Sequence, residues 1–187
     1  MYKALVKYGA NFRVVDFQEL LIRGIDCDHM QHLLKRHLKL ETLSSSCTFT
    51  STAARRGDLT TLKLLVRYGA PVDPVDAATK RSVLHLMADR TRPQTRLAEF
   101  LITRGANTNS CDIRGVTPLM VTSMHGNVSL SRLFLHAGAI VDLISQDGVT
   151  AISYAERGSI DNLIHLLRNF EQLSPPGTKR RRYRLYS

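Results

Sequence analysis

The chain has 187 residues, 43% of them hydrophobic, a formal net charge of +10 and no tryptophan. This is enough apolar material for a substantial core. No stretch approaches the roughly 20 consecutive apolar residues of a membrane helix, and Met1-Tyr2-Lys3-Ala4-Leu5-Val6-Lys7 lacks the apolar centre of a signal peptide.

Taken in chain order, the predicted elements repeat one phrase. An i, i+3, i+4 apolar triad, the stripe of an amphipathic helix, occurs at Tyr2/Leu5/Val6, Met30/Leu33/Leu34, Leu62/Leu65/Val66, Leu97/Phe100/Leu101, Leu130/Leu133/Phe134 and Leu163/Leu166/Leu167. The first members step by 28, 32, 35, 33 and 33 residues. In the middle copies the triad closes on Tyr68-Gly69-Ala70, Arg104-Gly105-Ala106 and Ala137-Gly138-Ala139, where a glycine can adopt the left-handed conformation that ends a helix. A period near 33 describes a unit too small to bury its own apolar face, so copies must stack.

Each triad is preceded by a shorter helical phrase, clearest in Gly115-Val116-Thr117-Pro118-Leu119-Met120, which ends at Gly126. Thr117 is placed to cap this helix with its hydroxyl, and Pro118 sits at the first helical position, where its missing N–H costs nothing.

These residues resemble the ankyrin repeat, whose pattern is G-x-T-P-L-H-x-A-A-x-x-G, a second helix with a V-x-x-L-L stripe, and a closing G-A. The matching stretches are 48–70, 82–106, 115–138 and 148–167. The resemblance implies an all-α solenoid of stacked antiparallel helix pairs joined by β-turn fingers. The expected divisions are a half repeat at 1–10, a degenerate repeat at 11–46, repeats at 47–79, 80–112, 113–145 and 146–173, and a basic tail at 174–187. The segment 41–47 reads as a polar loop. About three extra residues around Arg90-Thr91-Arg92-Pro93 read as a longer connection between helices.

Candidate chemistry is sparse. Cys27, His29, His32 and His37 lie close in sequence but share no helical face suited to a metal. His85 matches the family histidine, which the resemblance assigns to bridging adjacent repeats. Cys27, Cys47 and Cys111 are widely spaced and form no Cys-x-x-Cys pair, which reads as reduced thiols in an intracellular, cytoplasmic or nuclear protein. No nucleophile, paired carboxylates or phosphate-binding loop recurs, so no catalytic, metal or cofactor site is expected.

The resemblance implies a noncatalytic adaptor that binds a protein partner through its fingers and concave face. The finger segments are 71–81, 107–115 and 140–148, and the polar residues nearest their tips are Asp76, Lys80, Arg81, Asp112, Arg114, Gln146 and Asp147. The alternative is a nucleus-directed regulator using the tail residues Lys179, Arg180, Arg181, Arg182 and Arg184 for import or nucleic-acid contact. A monomer is expected unless another chain caps the N-terminal end.

Overall fold

The computed structural model describes residues 30, 31, 34, 35, 46–89 and 94–173. The half repeat at 1–10, the Cys27/His29/His32/His37 group, the connection at 90–93 and the basic tail Lys179, Arg180, Arg181, Arg182 and Arg184 lie outside the described residues.

Eight helices run through the described residues: α1 (Ser46–Arg56), α2 (Leu59–Arg67), α3 (Val83–Ala88), α4 (Thr95–Thr103), α5 (Pro118–Met124), α6 (Val128–His136), α7 (Ala151–Arg157) and α8 (Asp161–Leu173). Ser46 and Cys47, read from sequence as loop, already belong to α1. The Ser/Thr-rich start of α1 has no apolar period to announce a helix, and tertiary packing overrides its weak propensity.

The chain divides into two compact units, one up to Pro74 and one from Val75. In the first, α1 packs on α2 and buries Phe49, Ala53, Leu62 and Leu65. Asp58 caps α2 by accepting the Thr61 N–H at 3.0 Å, and the Thr50 hydroxyl donates to the Pro71 carbonyl at 3.0 Å.

In the second unit the six helices form two rows. The first helices of each repeat stack as α3 on α5 on α7, the second helices stack as α4 on α6 on α8, and the pairs α5/α6 and α7/α8 close each layer. The triad leucines supply the seam: Leu97, Leu101, Leu130, Phe134, Leu163 and Leu167 are all buried. Thr117 caps α5 as its sequence predicts, accepting the Met120 N–H at 3.3 Å. Asn127 does the same for α6 through Leu130 N–H at 3.2 Å.

Between the rows of successive layers run the fingers, and one slot in each turn requires a positive φ. Gly115 (φ +71) and Gly148 (φ +76) fill it in the second and third fingers of this unit, and Lys80 (φ +57) fills it in the first. A side chain there costs about 1–2 kcal/mol of backbone strain. A Cβ at the buried Gly115 would meet the Gln146 N and the Ser145 Cα at 3.4 Å, an ordinary van der Waals contact, so the strain there is that of the positive φ. A second departure lies after α7. The left-handed residue there is Ser159 (φ +52), 33 positions beyond Gly126, while Gly158 keeps a helical φ of −84.

The α7/α8 layer differs from the one before it on its far side. Stepping 33 residues from the buried Ser123 and Leu135 reaches Glu156 and Arg168, which pair at 2.9 Å with side chains 48% and 55% exposed. The pair gives this side of the layer a charged, solvated face, which resists association with apolar surfaces.

Two outcomes follow from this architecture. Gly115→Ala should lower unfolding free energy by about 1–2 kcal/mol in urea melts, the cost of a Cβ at positive φ. The double variant Glu156→Ser/Arg168→Leu should show concentration-dependent mass in light scattering while the native chain does not, because it replaces the exposed ion pair with the residues that the preceding layer buries at these positions.

Candidate functional site

The polar network between layers begins at Ser82, the residue before α3. Its buried N–H donates to His85 Nδ1 at 3.1 Å, which fixes the proton on Nε2, and Nε2 donates to the Val116 carbonyl of the next repeat at 2.9 Å. The Ser82 hydroxyl also reaches Nδ1 at 3.0 Å and itself accepts from the Ser110 hydroxyl at 3.0 Å. Burial holds the His85 pKa below its ordinary value of 6.5, against a smaller opposing pull from the Val116 bond. Nε2 bridges to the next repeat, as the resemblance implied for this residue, while Nδ1 is held within its own turn.

Asn109 makes the second bridge. Its side-chain amide donates to Gly138 O at 3.0 Å and accepts the Ile140 N–H at 2.8 Å. Nearby, Cys111 is a free thiol whose pKa is pushed up to about 11 by burial and by the neighbouring Asp112. It is held as the thiol at neutral pH, and the thiolate is the nucleophilic form.

The seven predicted finger-tip residues all lie on the turns, but most are spent on the fingers themselves. Asp76 accepts the N–H and the hydroxyl of Thr79, both at 2.7 Å. Asp112 accepts the N–H groups of Arg114 at 2.8 Å and Val116 at 2.9 Å. Arg114 pairs with Asp147 of the next finger, a bond that raises the guanidinium pKa further. Gln146 donates its side-chain amide to Ile113 O at 2.9 Å. Backbone bonds tie the same turns edge to edge, Ile113 N–H to Thr79 O at 3.0 Å and Gln146 N–H to Arg114 O at 2.9 Å. Arg81 reaches back to Asp89 at 3.2 Å. Lys80 is exposed.

The first-helix row carries side chains that the sequence reading missed. Asp89, Met124 and Arg157 occupy one register position, one per layer, and all three are exposed. Asp89 faces His125 Nε2 at 3.4 Å as well as Arg81, and the other His125 nitrogen, Nδ1, donates to the Val121 carbonyl at 2.9 Å. In the layer after that of Met124, Arg157 lies over the half-buried Tyr154 ring at 5.9 Å. The large apolar side chains exposed among the described residues are Val75 at 44%, Ile113 at 48% and Met124 at 52%. Each belongs to a finger or a first helix. The signal that could have found Met124 was its register: the positions 33 residues on and 35 back are both charged.

Residues 84–174 match the family model for ankyrin repeats in three copies. Similar proteins include an ankyrin repeat and LEM domain-containing protein 1 homolog of Caenorhabditis elegans, 37% identical over 98 residues covering 51% of this chain and 13% of the relative. Rabankyrin-5 of Homo sapiens is 32% identical over 108 residues, 52% of this chain and 9% of the relative. The chain thus spans a small fraction of the length of these relatives. Residues 84–174 are ankyrin repeats, and ankyrin repeats as a class mediate protein–protein interaction. Among the described residues, no helix is long and apolar enough to cross a membrane.

Because His85 is held neutral, the proton balance of folding has a definite sign. The unfolded chain takes up a proton near pH 6.5 that the folded chain refuses, so the stability present above that pH is lost as pH falls below it toward the lowered folded value. Urea midpoints measured from pH 7.5 to 5 should fall, and His85→Gln, which has no titrating ring, should flatten that part of the slope.

Proposed function

We propose that this chain is a noncatalytic protein-binding module whose contact surface is the finger and first-helix side of residues 75–158. The observation that carries the reading is the placement of exposed apolar side chains. Val75, Ile113 and Met124 all lie on that side, whereas the second helices turn Arg96, Glu99, Arg132, His136, His165 and Asn169 to solvent. Exposed apolar groups rimmed by polar ones are the usual mark of an interaction surface, and Met, Tyr and Arg are enriched in such surfaces. A noncatalytic role is supported by the two groups best suited to chemistry: His85 has both nitrogens in structural bonds and Cys111 is held as the thiol.

The test compares two surface variants of the full chain in affinity capture from cells. Met124→Ser/Ile113→Ser should lower the recovery of bound proteins about tenfold, the size of an interface anchor lost. Glu99→Ala/Arg132→Ala on the second helices should leave it unchanged. The opposite pattern would move the contact surface to the second-helix row and end this reading.

A further inference from the structure

Backbone bonds in the second unit pass along the fingers in one direction. The Ile113 N–H of the second finger reaches the Thr79 carbonyl of the first at 3.0 Å, and the Gln146 N–H of the third reaches the Arg114 carbonyl of the second at 2.9 Å. Each finger therefore spends donors on the finger before it and offers acceptors on its other edge. On the third finger the position 33 beyond Arg114 is Asp147, which is exposed, and no N–H among the described residues bonds its carbonyl. The base of the same finger repeats the pattern. Asn109 holds the chain that leaves α6, donating to Gly138 O at 3.0 Å and accepting the Ile140 N–H at 2.8 Å. Asp142, 33 positions on, has a buried Oδ1 without a hydrogen-bond partner. No chain is delivered to it by the same route, because α8 has 13 residues where α6 has 9, and Glu171, the counterpart of Gly138, is still helical.

Charge selects what fits this edge. Residues 140–173 hold Asp142, Asp147, Glu156, Asp161 and Glu171 against Arg157 and Arg168, a net of −3, whereas residues 107–139 hold Asp112 against Arg114 and Arg132, a net of +1. Asp147 and Glu156 are each paired through one oxygen only, with Arg114 and Arg168. Asp142, unlike Asn109, has no N–H of its own, so a segment seated against it must bring the donors. The chain itself holds such a segment: no acid follows Glu171, and residues 178–187 carry Lys179, Arg180, Arg181, Arg182 and Arg184. We propose that this basic segment docks on its own chain along the open edge of the third finger, with backbone N–H groups toward the Asp147 carbonyl and cationic side chains toward Asp142, Asp147 and Glu156. The overrun of α8 relative to α6, four residues, is about 6 Å of helix. The 14 residues after Leu173 span up to about 46–50 Å when extended, so the return is within reach. Arginine suits this edge because its planar donor fork can take both oxygens of one carboxylate or bridge two acids. The site includes none of Val75, Ile113 and Met124, so it stands or falls separately from the binding role proposed above.

The test records amide chemical shifts of the full chain by NMR. Arg180→Gln/Arg181→Gln/Arg182→Gln should move the amides of residues 142–148 and leave those of 107–112 in place. Raising the salt from about 0.1 to 1 M, which cuts the screening length from about 10 to 3 Å, should reproduce the shift at 142–148. In return, Asp142→Asn/Asp147→Asn, which keeps the shape of both side chains, should move the amides of 178–184. Unchanged shifts in the middle of α5 and α6 show that the fold is kept in both variants. Shifts at 142–148 that grow with chain concentration would assign the contact to a second copy and overturn docking within one chain. Tail substitutions that leave 142–148 unmoved, or that move a different face of the array instead, would overturn the site.

Discussion

Five of the six helices in the second unit have only six to nine residues, and none of these is long enough to persist alone in water. What holds them is burial between layers: each triad contributes leucines or phenylalanine to a seam that exists only when the neighbouring pair is in place. The polar bridges act in the same direction. His85 ties its own turn to the Val116 carbonyl, and Asn109 ties its finger to the backbone at Gly138 and Ile140. Both span a distance of one repeat, so each is made only by the stacked form.

That dependence decides what the fingers can offer a partner. A turn that projects from a stack still has to satisfy its own N–H groups, and here Asp76 and Asp112 do so from the side chain. Adjacent turns are then joined by backbone bonds and by the Arg114–Asp147 pair. Exposed ion pairs of this kind add little to stability, because water and salt screen them. Their larger effect is geometric: together with the backbone bonds they hold neighbouring turns edge to edge.

The fold was legible because its causes are local and repeated. Leu62, Leu97, Leu130 and Leu163 mark successive seams, Gly69, Gly105 and Gly138 mark helix ends with positive φ, and Thr117-Pro118 marks a start. The candidate site was legible only in outline. The finger tips could be located by their offset from Gly-Ala, but whether Arg114 is free or paired depends on Asp147, 33 residues away in the next layer. Arg81 is likewise answered by Asp89, at the far end of the next helix. Lys80 hides a different limit, since it occupies a slot where Gly115 and Gly148 would lead one to expect glycine. Sequence spacing around the first finger differs by two residues, which obscures that register.

Register also changes meaning with position in the stack. The slot filled by Ser123 is buried where another layer follows, and a small residue suits it. One repeat later the same slot holds Glu156, and the slot of the buried Leu135 holds Arg168. A substitution of leucine by arginine in an internal seam would strand a charge in a low-dielectric gap at a cost of several kcal/mol. On the outer side of α7 and α8 the same change costs little, because water solvates both partners. The two charged residues are thus informative as a pair: each alone reads as a tolerated departure from the repeat, but together, in contact at 2.9 Å, they mark the side of the layer that faces solvent. The finger and first-helix side, proposed above as the contact surface, is different again: there the large side chains that stay exposed, Val75, Ile113 and Met124, are apolar and uncharged.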